Sequence, residues 1–207
     1  MKRFAVVVEL WFLSCLVCGT LVAVSFAYLD LPIAAHFWKV GHFLRAFNTA
    51  FGAAVILSLE AAITLGLIVA RVVHGRISRF GETLAIACLA SICAYGINSQ
   101  VLKPLFGVPN PMDVMHGARH RFDFLMGSGN SAFPSGHMVL AGAFAGVFMR
   151  LWSASIQPLS ALLVLAAGLL IVGDWHFLSD VIAGTFVGVS AGALAGEAWI
   201  VHSNPPP

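Results

Sequence analysis

The sequence predicts an all-α integral membrane protein: a six-helix bundle with a short amphipathic interfacial helix between the first two spans. Three observations carry that prediction. Of 207 residues, 59% are hydrophobic and only 10% charged, far more apolar than a soluble domain of this length. Six apolar stretches approach the length that crosses a hydrocarbon core, near 5–28, 50–70, 81–102, 137–152, 158–174 and 179–200. The cations between them are densest in one short loop, as a membrane topology requires. No internal repeat divides the chain, which reads as a single domain over 1–207.

The first span follows Lys2 and Arg3 and runs from Ala5 to about Tyr28. It exceeds a signal-peptide apolar core, and Asp30 follows without a small-residue cleavage site, so it reads as a retained helix. Beyond it, Ile33, Phe37, Val40, Leu44 and Phe47 recur at steps of four and three. That spacing gives one apolar face, suited to a helix lying on the membrane surface or packed on the bundle. The second span carries Glu60 near its middle, where an ionisable group faces protein rather than lipid. Cys15, Cys18, Cys88 and Cys93 all lie inside apolar stretches, where they act as small packing residues and not as a disulfide framework.

Arg71, Arg76 and Arg79 cluster between the second and third spans, which places that loop in the cytoplasm. Lys2, Arg3 and Arg150 fall on the same side, so both termini are expected to be cytoplasmic. Lys39, Arg45, Lys103, Arg119 and Arg121 then lie outside. Trp11, Trp152 and Trp199 mark the inner interface, and Trp38 and Trp175 the outer one. The fourth and fifth spans are short, as helices can be when their outer ends open into a polar site. A net charge of +2 without a basic tract excludes nucleic acid as a partner.

This topology gathers Lys103, Ser135, Gly136, His137, His176 and Asp180 at the outer helix ends. In the stretch "PSGH" the proline stops the loop, Ser135 can cap a helix and Gly136 lets backbone approach closely. Free N–H groups and the helix dipole then face an anion, beside a histidine able to protonate a leaving oxygen. His176 and Asp180 are four apart, on one face if helical, so the carboxylate can hold one ring nitrogen and leave the other to attack phosphorus. Lys103 would neutralise phosphoryl oxygens, giving a phosphoryl-transfer site that needs no metal or cofactor.

Together "KPLFGVPNP", "PSGH" and "HFLSDVIAG" resemble, in order and spacing, the motifs of the type 2 phosphatidic acid phosphatase (PAP2) superfamily, over residues 103–184. The resemblance implies a six-helix membrane fold and a metal-independent phosphatase that hydrolyses a lipid phosphate monoester or pyrophosphate at the outer face through a phosphohistidine. It implies His176 as nucleophile, Asp180 as its orienting carboxylate, His137 as general acid, and Lys103, Ser135 and Gly136 as phosphate ligands. Its partners would be a lipid phosphate substrate and the surrounding membrane lipids, in the cytoplasmic (inner) membrane of a bacterium.

The chain departs from the pattern where the family carries arginine. Val108 and Asn110 stand in the first motif, and Leu169 and Leu170 open the third. Arg119 and Arg121, in "HGARHRFDF", are candidates to replace the missing guanidinium groups, unless they are solvated or paired with Asp113 or Asp123. Asn110 is a candidate uncharged ligand. Three other readings use the same residues: a zinc or iron site drawing on His116, His120, His137, His176 and Asp180; a phosphotransferase; and a non-catalytic lipid-binding relative.

Overall fold

The computed structural model describes residues 2–39 and 52–203, and all regular structure among them is helical. Helix α1, Lys2–Val24, continues through a wide π-helical turn, Ser25–Leu29, into α2, Asp30–Trp38. Pro32 has no N–H to bond a preceding carbonyl, and the widened turn just before it relaxes the helix at that point. The result is an apolar rod over Glu9–Trp38, longer than the span expected from hydropathy. Of the amphipathic segment, Ile33 and Phe37 belong to α2; Val40, Leu44 and Phe47 lie outside the described residues.

Helix α3, Ala53–His74, ends at Gly75 in the left-handed conformation, and α4, Arg79–Ile97, begins at Ser78, whose hydroxyl accepts from Gly81 N–H. A second π turn, Asn98–Leu102, leads into α5, Lys103–Phe106. After α6, Pro111–Met115, a long loop reaches α7, Gly136–Leu151. A 3-10 turn, Ser153–Ser155, joins it to α8, Ile156–Val172, and α9 spans Leu178–Ser203. Among the described residues, five helical rods are long and apolar enough to cross a membrane. The sixth, α7, has 16 residues, about 24 Å at 1.5 Å per residue, against a hydrocarbon core of about 30 Å. It does not need to meet lipid at both ends, because it is the central helix: Met138, Val139, Ala143 and Val147 are fully buried.

Glycines set the distance between α7 and α9, the pair in most extensive contact. A Cβ at Gly184 would lie 2.5 Å from the Ser135 carbonyl, at Gly188 2.6 Å from that of Val139, and at Gly192 2.1 Å from that of Ala143. On α7, a Cβ at Gly146 would sit 2.6 Å from the Val189 carbonyl. The helices therefore meet backbone to backbone, as small residues spaced four apart allow in membranes. Ser91 Oγ donates to the Leu140 carbonyl at 3.1 Å and Asn98 Nδ2 to that of Pro134 at 3.2 Å, fixing α4 on the other side of α7. Gly192→Val should separate the helices and destabilise the fold by about 1–3 kcal/mol. Gly168→Val on α8, with nothing within 4 Å of its would-be Cβ, should not. Thermal unfolding in detergent compares them, and equal midpoints would contradict this account of the packing.

Charges at the far end of α7 are paired. Arg150 Nε donates to Glu197 Oε2 at 2.7 Å, Trp152 Nε1 to Thr83 Oγ1 at 3.1 Å, and the Arg79 guanidinium lies 5.5 Å from the Trp152 ring. Trp11 instead packs beside Phe186 of α9, ring centroids 6.4 Å apart. Glu60 is buried within the bundle, as its mid-span position requires. The four cysteines are unpaired thiols.

Candidate active site

At the other end of the bundle, the chain after α4 folds back on itself. Leu125 N–H donates to the Leu105 carbonyl at 2.9 Å, Gly127 N–H to that of Pro104 at 3.1 Å, and Ala132 N–H to that of Val108 at 2.7 Å. The crossing needs Gly107, which has φ of +62° and where an added Cβ would collide with the Asp123 carbonyl. This fold-back carries Ser131 to Lys103, whose Nζ donates to the Ser131 carbonyl at 2.5 Å. Lys103 is buried, so its ammonium works in a medium that screens it weakly.

The Pro-Ser-Gly-His stretch forms the recessed start of α7. Ser135 is the N-cap: its hydroxyl accepts from Met138 N–H at 3.4 Å, and its own N–H donates to the Asp180 carbonyl at 3.0 Å, tying this end to α9. At Gly136 a Cβ would come within 2.9 Å of the Tyr95 ring. His137 follows, half-buried, with its ring centroid 6.1 Å from that of Trp175 and 5.8 Å from that of His176 at 67°.

His176 and Asp180 meet by a route the spacing alone does not reveal. Helix α9 begins at Leu178, so His176 lies in the turn before it rather than on its face. That turn wraps the end of α8, with Trp175 N–H donating to the Leu170 carbonyl at 3.0 Å, and Asp174 has φ of +53°. Asp180, the third residue of α9, reaches back so that Oδ2 accepts from Phe177 N–H at 2.9 Å, the acid half of a capping box. The same oxygen lies 3.4 Å from His176 Nδ1, in electrostatic contact but longer than a formed hydrogen bond. Burial, and then the Lys103 cation, push the His176 imidazole down to about 3, so it is neutral at pH 7 with a lone pair available. A near-attack contact and a proton-transfer hydrogen bond are each about 3 Å long. Two rings at this separation can therefore engage opposite sides of one phosphoryl group.

Two of the positions lacking arginine, Val108 and Leu170, are absorbed by packing. Val108 is fully buried with Phe133 and Ala183, and Leu170 with Met138, Leu163 and Val181, so an apolar contact stands where a guanidinium would need polar partners. Leu169 is exposed on α8. Asn110 caps α6: its Oδ1 accepts from Asp113 N–H at 2.9 Å and its Nδ2 donates to Asp113 Oδ2 at 2.7 Å. Arg121 pairs with Asp123 at 2.7 Å, and Arg119 is exposed. The structure thus brings Lys103, Ser135, Gly136, His137, His176 and Asp180 together, and gives Asn110 and Arg121 other partners.

Alternation explains the two arginines. Over 119–122 exposure alternates along the loop, with Arg119 and Arg121 exposed and His120 and Phe122 partly buried. His120 and Phe122 turn inward, stacking on Phe26 with centroids 4.1 and 4.4 Å away, which leaves Arg119 and Arg121 facing out. His116, four residues earlier, sets its Nδ1 2.8 Å from the Met112 carbonyl and its ring edge-on to Trp38, so the two histidines diverge. Reading the "RHRF" alternation favours His120 over its neighbours. No local motif marks Asp30, which is fully buried with both carboxylate oxygens engaged by Ser179 of α9.

A family model described as PAP2 superfamily matches residues 83–200, from the first turns of α4 to the last turns of α9. No curated protein and no solved structure matches the chain.

Proposed function

The chain belongs to the PAP2 superfamily, whose model covers more than half of it, and from that premise we propose a membrane lipid phosphatase that works through a phosphohistidine. Its apolar helices fit a protein integral to the membrane. The observation that carries the reading is the approach of two imidazoles, His137 from α7 and His176 from the α8–α9 turn, beside one buried lysine.

In the proposed reaction His176 Nε2 attacks phosphorus as the bond to the lipid oxygen breaks, and His137 gives that oxygen a proton. The lipid alcohol leaves. Water then attacks the phosphohistidine, His137 takes its proton, the N–P bond breaks, and inorganic phosphate departs. Asp180 holds the His176 ring; Lys103 and the N-terminus of α7, capped by Ser135 and opened by Gly136, offset the phosphoryl charge. One ammonium and a helix end of about half a charge suit a phosphate monoester better than a pyrophosphate. The dense arginine loop before α4 supports a cytoplasmic position for it and for both termini, with the site on the outer face of a bacterial inner membrane.

The assay is phosphate release from a panel of lipid phosphates by detergent-purified protein with EDTA. Release that persists in EDTA and is fastest with a monoester is expected. No release from any lipid would favour a lipid-binding relative, a reading the apolar Val108 and Leu170 support; EDTA sensitivity would favour a metal site; transfer to a lipid acceptor instead of water would make the protein a phosphotransferase. Arg119→Ala and Arg121→Ala, facing out, should each keep kcat within about threefold, as exposed charges do. A hundredfold loss in either would return a guanidinium to the phosphate.

A further inference from the structure

We propose that Asp30 and His120 form a positioning pair that sets Asp180, and through it His176, for attack; this rests on His176 being the attacking group. Asp30 lies at the junction of the π turn and α2, outside the residues matched by the family. Its Oδ1 accepts from Ser179 N–H at 3.0 Å and its Oδ2 from Ser179 Oγ at 2.5 Å. A carboxylate from the first span therefore holds the first turn of α9, where Asp180 is the next residue.

His120 closes the other side. Its Nε2 lies 3.4 Å from Asp30 Oδ2, with the side chain only 5% exposed. Its ring is held between Phe26, at 4.1 Å and 22°, and Phe177, at 4.4 Å and 55°. Phe177 is the residue after His176 and the one whose N–H bonds Asp180. The pair thus touches the two residues that flank the His176–Asp180 contact, Phe177 through the ring and Ser179 through the carboxylate. Apolar packing alone would not place a carboxylate here, because a buried charge is costly unless it is bonded. This one accepts both hydrogen bonds from Ser179, beside the reacting groups, and has the His120 imidazole on its other side. Lipid substrate cannot reach it, so the pair acts through Asp180 and touches no reacting atom.

The test is steady-state kinetics of Asp30→Asn and His120→Phe on the best lipid phosphate of the panel, each also made in an Asp180→Asn background. Asparagine keeps the shape of Asp30 but loses its charge and one acceptor; phenylalanine keeps the stack but loses Nε2. Each should lower kcat about 10- to 100-fold, as loss of an orienting partner does, with KM changed less than about twofold. Both losses should vanish when Asp180 is already asparagine, since the pair then has nothing to orient. Unchanged kcat, a rise in KM alone, or losses that persist in full beside Asp180→Asn would overturn the proposal while leaving the phosphatase reading intact. Should Asp30→Asn fail to fold, His120→Phe decides alone. Failure of the parent to release phosphate from any lipid would instead end the reading beneath it.

Discussion

His176→Ala should abolish phosphate release, by a factor on the order of 10⁴ or more, while leaving lipid binding nearly intact. Losing the attacking group of a covalent mechanism forces direct attack by water, and the losses seen when such groups are removed are of that size. Binding survives because Lys103, Ser135 and the start of α7 are untouched. Folding survives because the turn is held by backbone, Trp175 N–H to the Leu170 carbonyl at 3.0 Å, and not by the imidazole. Measuring kcat beside the affinity for inorganic phosphate separates the two effects. Residual activity within tenfold of the parent would mean that another group attacks.

His137→Ala should lower kcat about 10²- to 10⁴-fold on an alkyl lipid phosphate, the range general acid catalysis supplies. The loss should depend on the leaving group. An alkoxide cannot leave without a proton, whereas a nitrophenolate can, so the first step with an aryl phosphate should survive. The second step still lacks its base. The variant should thus release one equivalent of nitrophenol in a burst and then stall, a pattern read directly by stopped-flow absorbance. A first step slowed as much on the aryl phosphate as on the alkyl lipid phosphate, with no burst, would mean that His137 binds and does not transfer a proton.

The bundle was legible because hydropathy is a one-dimensional signal, and six apolar runs translate directly into six helices. The first span was longer than expected because a π turn at Ser25–Leu29 carries the helix past Pro32, an accommodation hydropathy does not record. Sequence also placed Lys103, His137, His176 and Asp180 at one end. The link between the last two is not the one their spacing suggests: four residues apart fits a helix face, but here the acid caps the helix that the histidine precedes. Charge alone does not show which of Arg119, His120, Arg121 and Phe122 pack inward; in the structure His120 and Phe122 stack on Phe26, and Arg121 pairs with Asp123. Asp30 was invisible because its partner, Ser179, is 149 residues away, and nothing local marks the end of a span as buried. The glycines of α9 were present in the sequence, but their meaning depends on which helix lies opposite.

The account stands on two imidazoles acting at opposite sides of one phosphorus atom. Its most direct test is to mix His137→Ala with an aryl phosphate, quench in base to preserve an acid-labile N–P bond, and map the modified peptide by mass spectrometry. One phosphoryl group per chain on His176, formed at the burst rate and absent from His176→Ala, is the predicted result. Steady turnover with no adduct at His176, or an adduct on any other residue, would contradict it.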